Sequence, residues 1–115
     1  MRIAFTSTGK NWDSAIDPRF GRTEFIVVYD EENQQLEVID NNAVKNEAHG
    51  AGTATAQKIY EIKPDVLITG NGPGETAARA LQQLNMKIFV DAHNLSLKDA
   101  YEKFKTNQLT ELNLQ

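Results

Sequence analysis

The sequence contains no cysteine, and this absence excludes several kinds of site. The chain can form no disulfide, has no thiolate nucleophile and cannot build a thiolate-ligated zinc or iron–sulfur site by itself. It also lacks an excess of positive charge, because 12 Lys and Arg residues stand against 16 Asp and Glu residues, for a formal net charge of −4. Such a domain has no broad positive field to attract nucleic acid, so no nucleic-acid partner is expected.

Long hydrophobic runs are absent as well. Residues 1–5 lead directly into polar residues, and no apolar run is long enough to cross a bilayer. The sequence therefore predicts a cytoplasmic protein with no signal peptide and no membrane partner. A chain of 115 residues is expected to form one domain over residues 1–115. Residues 107–115 are polar with scattered leucines and are expected to form a loosely packed tail.

The hydrophobic pattern predicts an α/β fold. Apolar and β-branched runs predict five strands, at residues 2–6, 25–29, 36–39, 66–68 and 88–90. Helical spacing predicts three helices, the first ending before Pro64 and the third capped by Ser96. The order is βββαβαβα, in which a hairpin makes strand 2 antiparallel and later crossovers make strands 4 and 5 parallel. The expected architecture is a ribonuclease-H-like mixed five-stranded sheet with three helices.

The unusual residues of the chain follow strands that end at one edge of this predicted sheet. Four segments leave that edge: residues 7–22, 41–49, 70–74 and 91–94. They contain both histidines, His49 and His93, together with Arg19 and Arg22. Open α/β sheets bind ligands at the carboxyl ends of their strands, and helix N-termini add oriented amides there. The sequence therefore predicts an anion-binding edge on an acidic protein.

A purely structural interpretation of these segments stays open at this point. Residues 17–22 could form a turn in which Gly21 supplies a positive φ, while Arg19 and Arg22 are surface charges or partners of nearby aspartates such as Asp17. A histidine in a loop is more often solvated than bound to a ligand.

Enzymatic sites are harder to assemble from this sequence. The glycine-rich segment 70–74 lacks the last glycine of a dinucleotide fingerprint and the Lys and Ser/Thr of a P-loop. Ser7 and Ser14 have no nearby histidine, and the first and fourth strands carry no carboxylate for two-metal nuclease chemistry. We therefore expect a protein that is not an enzyme.

Taken together, the motifs resemble those of the dinitrogenase iron–molybdenum cofactor biosynthesis family. The resemblance rests on residues 1–5, Arg-Phe-Gly-Arg at 19–22, His-Gly-Ala-Gly at 49–52 and Gly-Asn-Gly-Pro-Gly at 70–74, in that order and spacing. It implies a nitrogen-fixation-related carrier with a ribonuclease-H-like fold that lacks the nuclease carboxylates. Members associated with nitrogenase bind iron–molybdenum cofactor or its iron–sulfur precursor, and a short stand-alone member carries a molybdenum–copper sulfide cluster. Cofactor-assembly proteins are the partners that this resemblance implies.

The absence of cysteine agrees with a cargo that is assembled beforehand. A metal–sulfide cluster brings its own sulfides and a negative charge, so the protein needs to supply only amides, guanidinium groups and an imidazole. On the family resemblance we expect His49 to be the metal ligand, with Arg19 and Arg22 as electrostatic clamps. The expected cradle is completed by backbone amides from two segments: Gly50, Gly52 and Thr53, and Gly72, Gly74 and Glu75.

Two other classes of function use the same edge and stay open from the sequence. One is a binding module for a phosphate-bearing small molecule, and the other is a regulatory or scaffold protein that contacts a partner.

Overall fold

One mixed β-sheet organises the chain in the computed structural model, which describes residues 1–45 and 50–113. Its strands are β1 (Arg2–Ser7), β2 (Phe25–Asp30), β3 (Gln35–Asp40), β4 (Val66–Ile68), β5 (Lys87–Val90) and β6 (Thr110–Glu111). The helices are α1 (Asn42–Lys45), α2 (Ala51–Ile62), α3 (Glu75–Gln82) and α4 (Leu97–Lys105). The predicted α/β class is therefore confirmed, with three helices longer than one turn.

The order of the strands in space is β3-β2-β1-β4-β5-β6. Strand β2 pairs antiparallel with both β1 and β3, whereas β4 pairs in parallel with β1 and with β5. These are the directions that the hairpin and the crossovers predict. As a result, β1, β3, β4 and β5 all end at the same edge of the sheet.

The sheet has six strands, not the five that the sequence predicts. Strand β6 pairs antiparallel with β5 and lies within residues 107–115, where a loose tail was expected. Leu109 packs against the hydrophobic cluster on one face of the sheet, and Leu112 packs against the cluster on the other face. Residues 109–112 are therefore packed on or paired with the sheet. A strand of two residues is too short to show an alternating pattern, so its pairing depends on the neighbouring strand.

The region 41–49, expected to be a loop, begins with the single helical turn α1. The side chain of Asp40 caps this turn, because its Oδ1 accepts hydrogen bonds from the backbone N–H and from the side-chain amide of Asn42, each 2.8 Å long. These hydrogen bonds lower the pKa of Asp40 below its ordinary value. One turn held by one cap carries too little periodicity to be predicted from sequence.

Helices cover both faces of the sheet and create two hydrophobic clusters. On one face α2 and α3 pack through residues such as Ile59 and Leu81. On the other face α4 packs through Leu97, together with Ile16 from the long loop after β1. Strand β4 is buried on both faces, which explains why it is a continuous apolar run with no alternation.

The ends of the helices agree with the signals in the sequence. Helix α2 ends at Ile62, where Lys63 adopts a left-handed conformation and donates its N–H to the carbonyl of Ile59. Pro64 follows, as predicted. Helix α4 begins after Ser96, whose Oγ accepts a hydrogen bond of 3.1 Å from the backbone N–H of Asp99. Within the described ranges, no helix is both long and apolar enough to cross a membrane.

Candidate anion-binding site

A buried polar network lies under the edge where the parallel strands end. Its members are all fully buried: Thr6, Ser7, Asp17, Thr23, Asn41, Thr55 and Thr69. A buried polar group is costly unless it is hydrogen-bonded. The hydrogen bonds of this network therefore decide how the loops above it are held.

The loop after β1 is tied at its middle to the end of that strand. Asp17 donates its backbone N–H to the carbonyl of Thr6 over 2.9 Å, and the Oγ1 of Thr6 donates to the carbonyl of Asp17 over 2.9 Å. Thr6 Oγ1 also lies 2.8 Å from the Oγ1 of Thr69, just after β4. The segment 17–22 therefore starts from a fixed point between two parallel strands.

Pro18 then contacts the turn between β4 and α3. Its carbonyl accepts a hydrogen bond of 2.8 Å from the N–H of Asn71. A Cβ atom on Gly70 would lie only 2.5 Å from the Cα of Pro18. Glycine is thus required at position 70 because two backbones approach too closely for a side chain.

Gly21 makes a similar contact with the first turn of α2. A Cβ atom on Gly21 would lie 2.8 Å from the backbone N of Gly52. Its carbonyl accepts a hydrogen bond of 2.8 Å from Thr55 Oγ1, which in turn accepts one from Asn41 Nδ2 over 3.1 Å. Gly21 is not among the residues with a positive φ, so this part of the turn interpretation was wrong. Close backbone packing, not a left-handed conformation, requires this glycine.

The segment 17–22 consequently bridges the start of α2 and the turn that precedes α3. The structure thus brings the loop carrying Arg19 and Arg22 against two of the glycine-rich segments singled out from the sequence. Asp91, after β5, joins them through a hydrogen bond of 2.7 Å from its N–H to the carbonyl of Gly70. Three of the predicted edge segments therefore meet within the described part of the chain.

Helices α2 and α3, which start at this edge, have glycine N-caps, which cannot supply a capping side chain. Gly50 precedes α2 with a φ of 79°, and Gly74 precedes α3 in an extended conformation. The first intrahelical hydrogen bonds start at the amides of Ala54 and Ala78, so the amides before them lack helical acceptors. Among the described residues, and apart from chain neighbours and the backbone of the same helix, a Cβ atom added at Gly50, Gly52 or Gly74 would meet no atom within 4 Å. The space beside both helix ends is therefore open.

The remaining residues of the expected amide cradle differ in their surroundings. Thr53 is exposed in the first turn of α2. Gly72 has a φ of 83°, and a Cβ atom there would lie 2.9 Å from Val90. The carboxylate of Glu75 accepts a hydrogen bond of 2.8 Å from Arg79 on the same helix. Only the backbone amide of Glu75 is thus suited to an anion.

Arg19 is held by a bidentate ion pair. Its Nε donates to Asp17 Oδ1 and its Nη2 donates to Asp17 Oδ2, each over 3.1 Å. The hydrogen bonds that Arg19 donates to Asp17, and the negative charge of Asp17, raise the pKa of Arg19 above the ordinary value. The interpretation of Arg19 as a partner of Asp17 is therefore correct as a contact. About half of the Arg19 side chain (51%) remains exposed, so the guanidinium also borders solvent.

The structure gives less information on the other candidate residues, which are Arg22, His93 and His49. Arg22 is exposed in the same segment, and His93 is exposed in the loop after β5. His49 lies outside the described residues, so its expected role as a metal ligand stays a prediction. Within residues 1–45 and 50–113, no group of three or more His, Asp and Glu side chains is arranged to hold a metal ion.

Comparison with known proteins identifies the family. A model of the family described as dinitrogenase iron–molybdenum cofactor matches residues 1–107. This chain belongs to the dinitrogenase iron–molybdenum cofactor family. The resemblance inferred from the motifs is thereby confirmed.

Three relatives of this iron–molybdenum cofactor family member cover most of its length. The orange protein of Desulfovibrio gigas, solved in its apo form, is 36% identical, with a TM-score of 0.88 over 96% of this chain and 92% of that one. A NifB-like protein from Thermotoga is 29% identical, with a TM-score of 0.81 over 99% of this chain and 95% of that one. An uncharacterised protein of Methanocaldococcus jannaschii is 28% identical over 84% of this chain and 82% of its own length.

Sequence reasoning missed the residues that hold the site of this family member together. Asp17 was considered only as a turn residue or a surface partner of the arginines and not as a buried anchor, and Asn41 and Thr55 were not singled out. An aspartate before Pro18 in a long polar loop is a weak signal, since its partners become clear only after folding. Asn41 Oδ1 is buried and has no hydrogen-bond partner among the residues that the structure describes.

Proposed function

We propose that this protein is a non-catalytic carrier that binds an anionic metal–sulfur cluster at the carboxyl edge of its sheet. One observation carries the proposal: two helices with glycine N-caps and open space beside them begin where the Arg19 segment packs. Membership of the iron–molybdenum cofactor family supports a cofactor-related cargo. The same proposal includes a ribonuclease-H-like fold, a cytoplasmic location and transfer to or from cofactor-assembly proteins.

The physical basis of binding is a set of oriented donors. Each helix N-terminus carries a partial positive charge of about half an elementary charge, and its unpaired amides point outward. The absence of side chains at Gly50, Gly52 and Gly74 allows sulfide ligands to approach these amides closely. Arg19 and Arg22 would add charge-assisted hydrogen bonds, and His49 would supply the imidazole at an open metal position.

The first cargo to test is a molybdenum–copper sulfide cluster, followed by an iron–sulfur or iron–molybdenum precursor. The chain spans 92% of the orange protein and matches it over nearly its whole length. The family resemblance implies the molybdenum–copper cargo for members similar to that protein. The apo-protein would be mixed anaerobically with tetrathiomolybdate and copper(I), desalted, and measured for visible absorption and bound metal.

The expected result is a coloured protein with stoichiometric molybdenum and copper. We expect His49→Ala to lose the colour, because the metal position would lose its imidazole. The matched control is His93→Ala, since it removes the other histidine of the chain. Equal colour in both variants and in the unmodified protein would show that His49 is not the ligand. A colourless, metal-free wild type after addition of each cluster would rule out the carrier function.

A phosphate-bearing small molecule is the second candidate ligand. Helix N-termini with free amides bind phosphate through the same dipole and hydrogen bonds that would hold a sulfide cluster. This alternative predicts thermal stabilisation by nucleotides or sugar phosphates and none by thiomolybdate. The opposite pattern is expected for the carrier function.

A further inference from the structure

The carboxylate of Asp17 is the most completely satisfied polar group at the binding edge. Its side chain is fully buried. Oδ1 accepts hydrogen bonds from the backbone N–H and Nε of Arg19, and Oδ2 accepts from Nη2 of Arg19 and the N–H of Glu24. All four bonds are 3.0 to 3.1 Å long. Because a carboxylate has about four acceptor positions, these contacts use its full capacity.

The backbone of Asp17 is also tied on both sides. Its N–H and carbonyl are both hydrogen-bonded to Thr6 at the end of β1. The next residue, Pro18, packs against Gly70 and accepts the N–H of Asn71. The position of the carboxylate is thus set by two parallel strands and not by the loop alone.

The contact with Asp17 leaves one side of the Arg19 guanidinium open. A guanidinium is planar with five N–H donors. Its bidentate contact with Asp17, called the fork below, uses the Nε–H and one N–H of Nη2. Nη1 has no hydrogen-bond partner within the described ranges, and the side chain is half exposed. The open donors therefore have a fixed direction. At the same time, the negative charge of the adjacent carboxylate opposes the positive charge that Arg19 would bring to an anion.

We propose that Asp17 is a positioning residue that orients the Arg19 guanidinium toward the bound cluster. Arg19 then recognises the cargo by the direction of its donors more than by its charge. This inference rests on the proposed carrier function and adds a residue that does not touch the cargo itself.

A variant at Asp17 separates orientation from charge, because the two explanations predict opposite results. Asp17→Asn removes a negative charge beside an anion site, so attraction by charge alone would tighten binding. It also replaces an acceptor by an NH₂ group that faces the donors of Arg19 or Glu24, which breaks the fork. If orientation controls recognition, the same variant binds the anion more weakly.

Arg19→Lys provides a second test, and it leaves the Asp17 carboxylate with its hydrogen bonds from the backbone N–H groups of residues 19 and 24. Lysine keeps the positive charge but cannot form the planar fork, so it cannot be oriented in the same way. The matched control is Arg79→Lys, because Arg79 has the same exposed fraction of 51% and also pairs with a carboxylate, on α3.

The experiment measures the affinity of the molybdenum–copper sulfide cluster, assembled from tetrathiomolybdate and copper(I), for the wild type and the three variants. We expect Asp17→Asn and Arg19→Lys to weaken binding about tenfold or more, the effect of losing one charge-assisted hydrogen bond. Arg79→Lys should stay within about twofold. In the apo-protein, the Nε–H resonance of Arg19 should be dispersed and slow to exchange with water in the wild type, and should lose both properties in Asp17→Asn.

The outcomes distinguish this inference from the function on which it rests. A wild type that takes up no cluster overturns the carrier function and the inference together. Suppose instead that the wild type binds the cluster. Only the positioning role is then overturned if Arg19→Lys has the same affinity as the wild type, or if Asp17→Asn has the same or a higher affinity. A mobile Nε–H in the wild-type apo-protein overturns it as well, without reference to any cargo. If Asp17→Asn does not fold, Arg19→Lys and the wild-type resonance still decide the question.

Discussion

Replacing Gly52 by alanine should stabilise the protein and weaken the cluster binding that we propose. Gly52 is the second residue of α2, and outside the backbone of its own helix a Cβ atom there would meet no atom of the described residues within 4 Å. Alanine in a helix is favoured over glycine by about 0.5–1 kcal/mol, chiefly because glycine loses more backbone freedom on folding. For a domain of this size, that gain should raise the melting temperature by about 2–5 °C.

The same methyl group would occupy the open space beside the amides at the start of α2. We expect it to prevent at least one charge-assisted hydrogen bond to the cluster, which is worth about 1.5–3 kcal/mol. The affinity should therefore fall by about one to two orders of magnitude. Because stability and affinity change in opposite directions, a general loss of structure cannot explain the result.

The assay combines thermal unfolding followed by circular dichroism with anaerobic titration of the molybdenum–copper sulfide cluster. Gln57→Ala, an exposed position on the same helix, is the control and should change both quantities little. A stabilised Gly52→Ala protein with wild-type affinity would refute the placement of the cargo at the start of α2. A destabilised protein would refute the reasoning about the open space itself.

Three further predictions concern the scaffold. Gly21→Ala should lower the free energy of unfolding by about 1–3 kcal/mol in urea denaturation, because its Cβ would press on the backbone of Gly52; an unchanged midpoint would contradict the close contact. Burial and the hydrogen bond to Glu31 raise the pKa of Tyr101 to about 12, so one tyrosine should ionise late in an ultraviolet titration, and Tyr101→Phe should remove that step. The hydrogen bonds from Tyr101 and Lys105 lower the pKa of Glu31 in the folded protein. The ionised Glu31 therefore stabilises the fold fully above the ordinary pKa of a glutamate, and this stabilisation is lost as the pH falls through the lowered pKa. Glu31→Gln should therefore flatten the acid side of the stability profile, and a profile as steep as that of the wild type would count against the contact.

The parts of the fold that sequence predicts well are those set by local patterns. Strand β4 was predicted with its observed bounds, since a buried parallel strand is a continuous apolar run. The cap at Ser96 was also correct, because a serine before an amphipathic run satisfies a backbone amide within three residues. Strand β6 and helix α1 were missed, because each is short and depends on a neighbouring strand or on one cap.

The binding edge shows a similar division. Arg19 and the glycines at positions 50, 52 and 74 could be selected from their motifs. In the structure the segment of Arg19 packs against the start of α2 and the turn before α3, and the three glycines leave space beside these helix ends. The fork of Arg19 on Asp17 could not be selected with confidence, because a turn residue and a buried anchor look alike in sequence. The reason for glycine at position 21 also requires the tertiary contact with α2. Residue types suited to binding can thus be recognised from the sequence. The contacts that hold them in place join distant segments and are seen only in the folded structure.

The hydroxyl pair between Thr6 and Thr69 has a consequence for the order of events in folding. It joins residues 63 positions apart, across two strands that pair in parallel. Such non-local pairings form slowly, because the entropy of closing the intervening loop is lost before the contact forms. The loop of Arg19 therefore has no fixed support until β4 has docked beside β1. A growing chain on the ribosome should accordingly be unable to bind the proposed cluster until β4 and the turn after it have emerged.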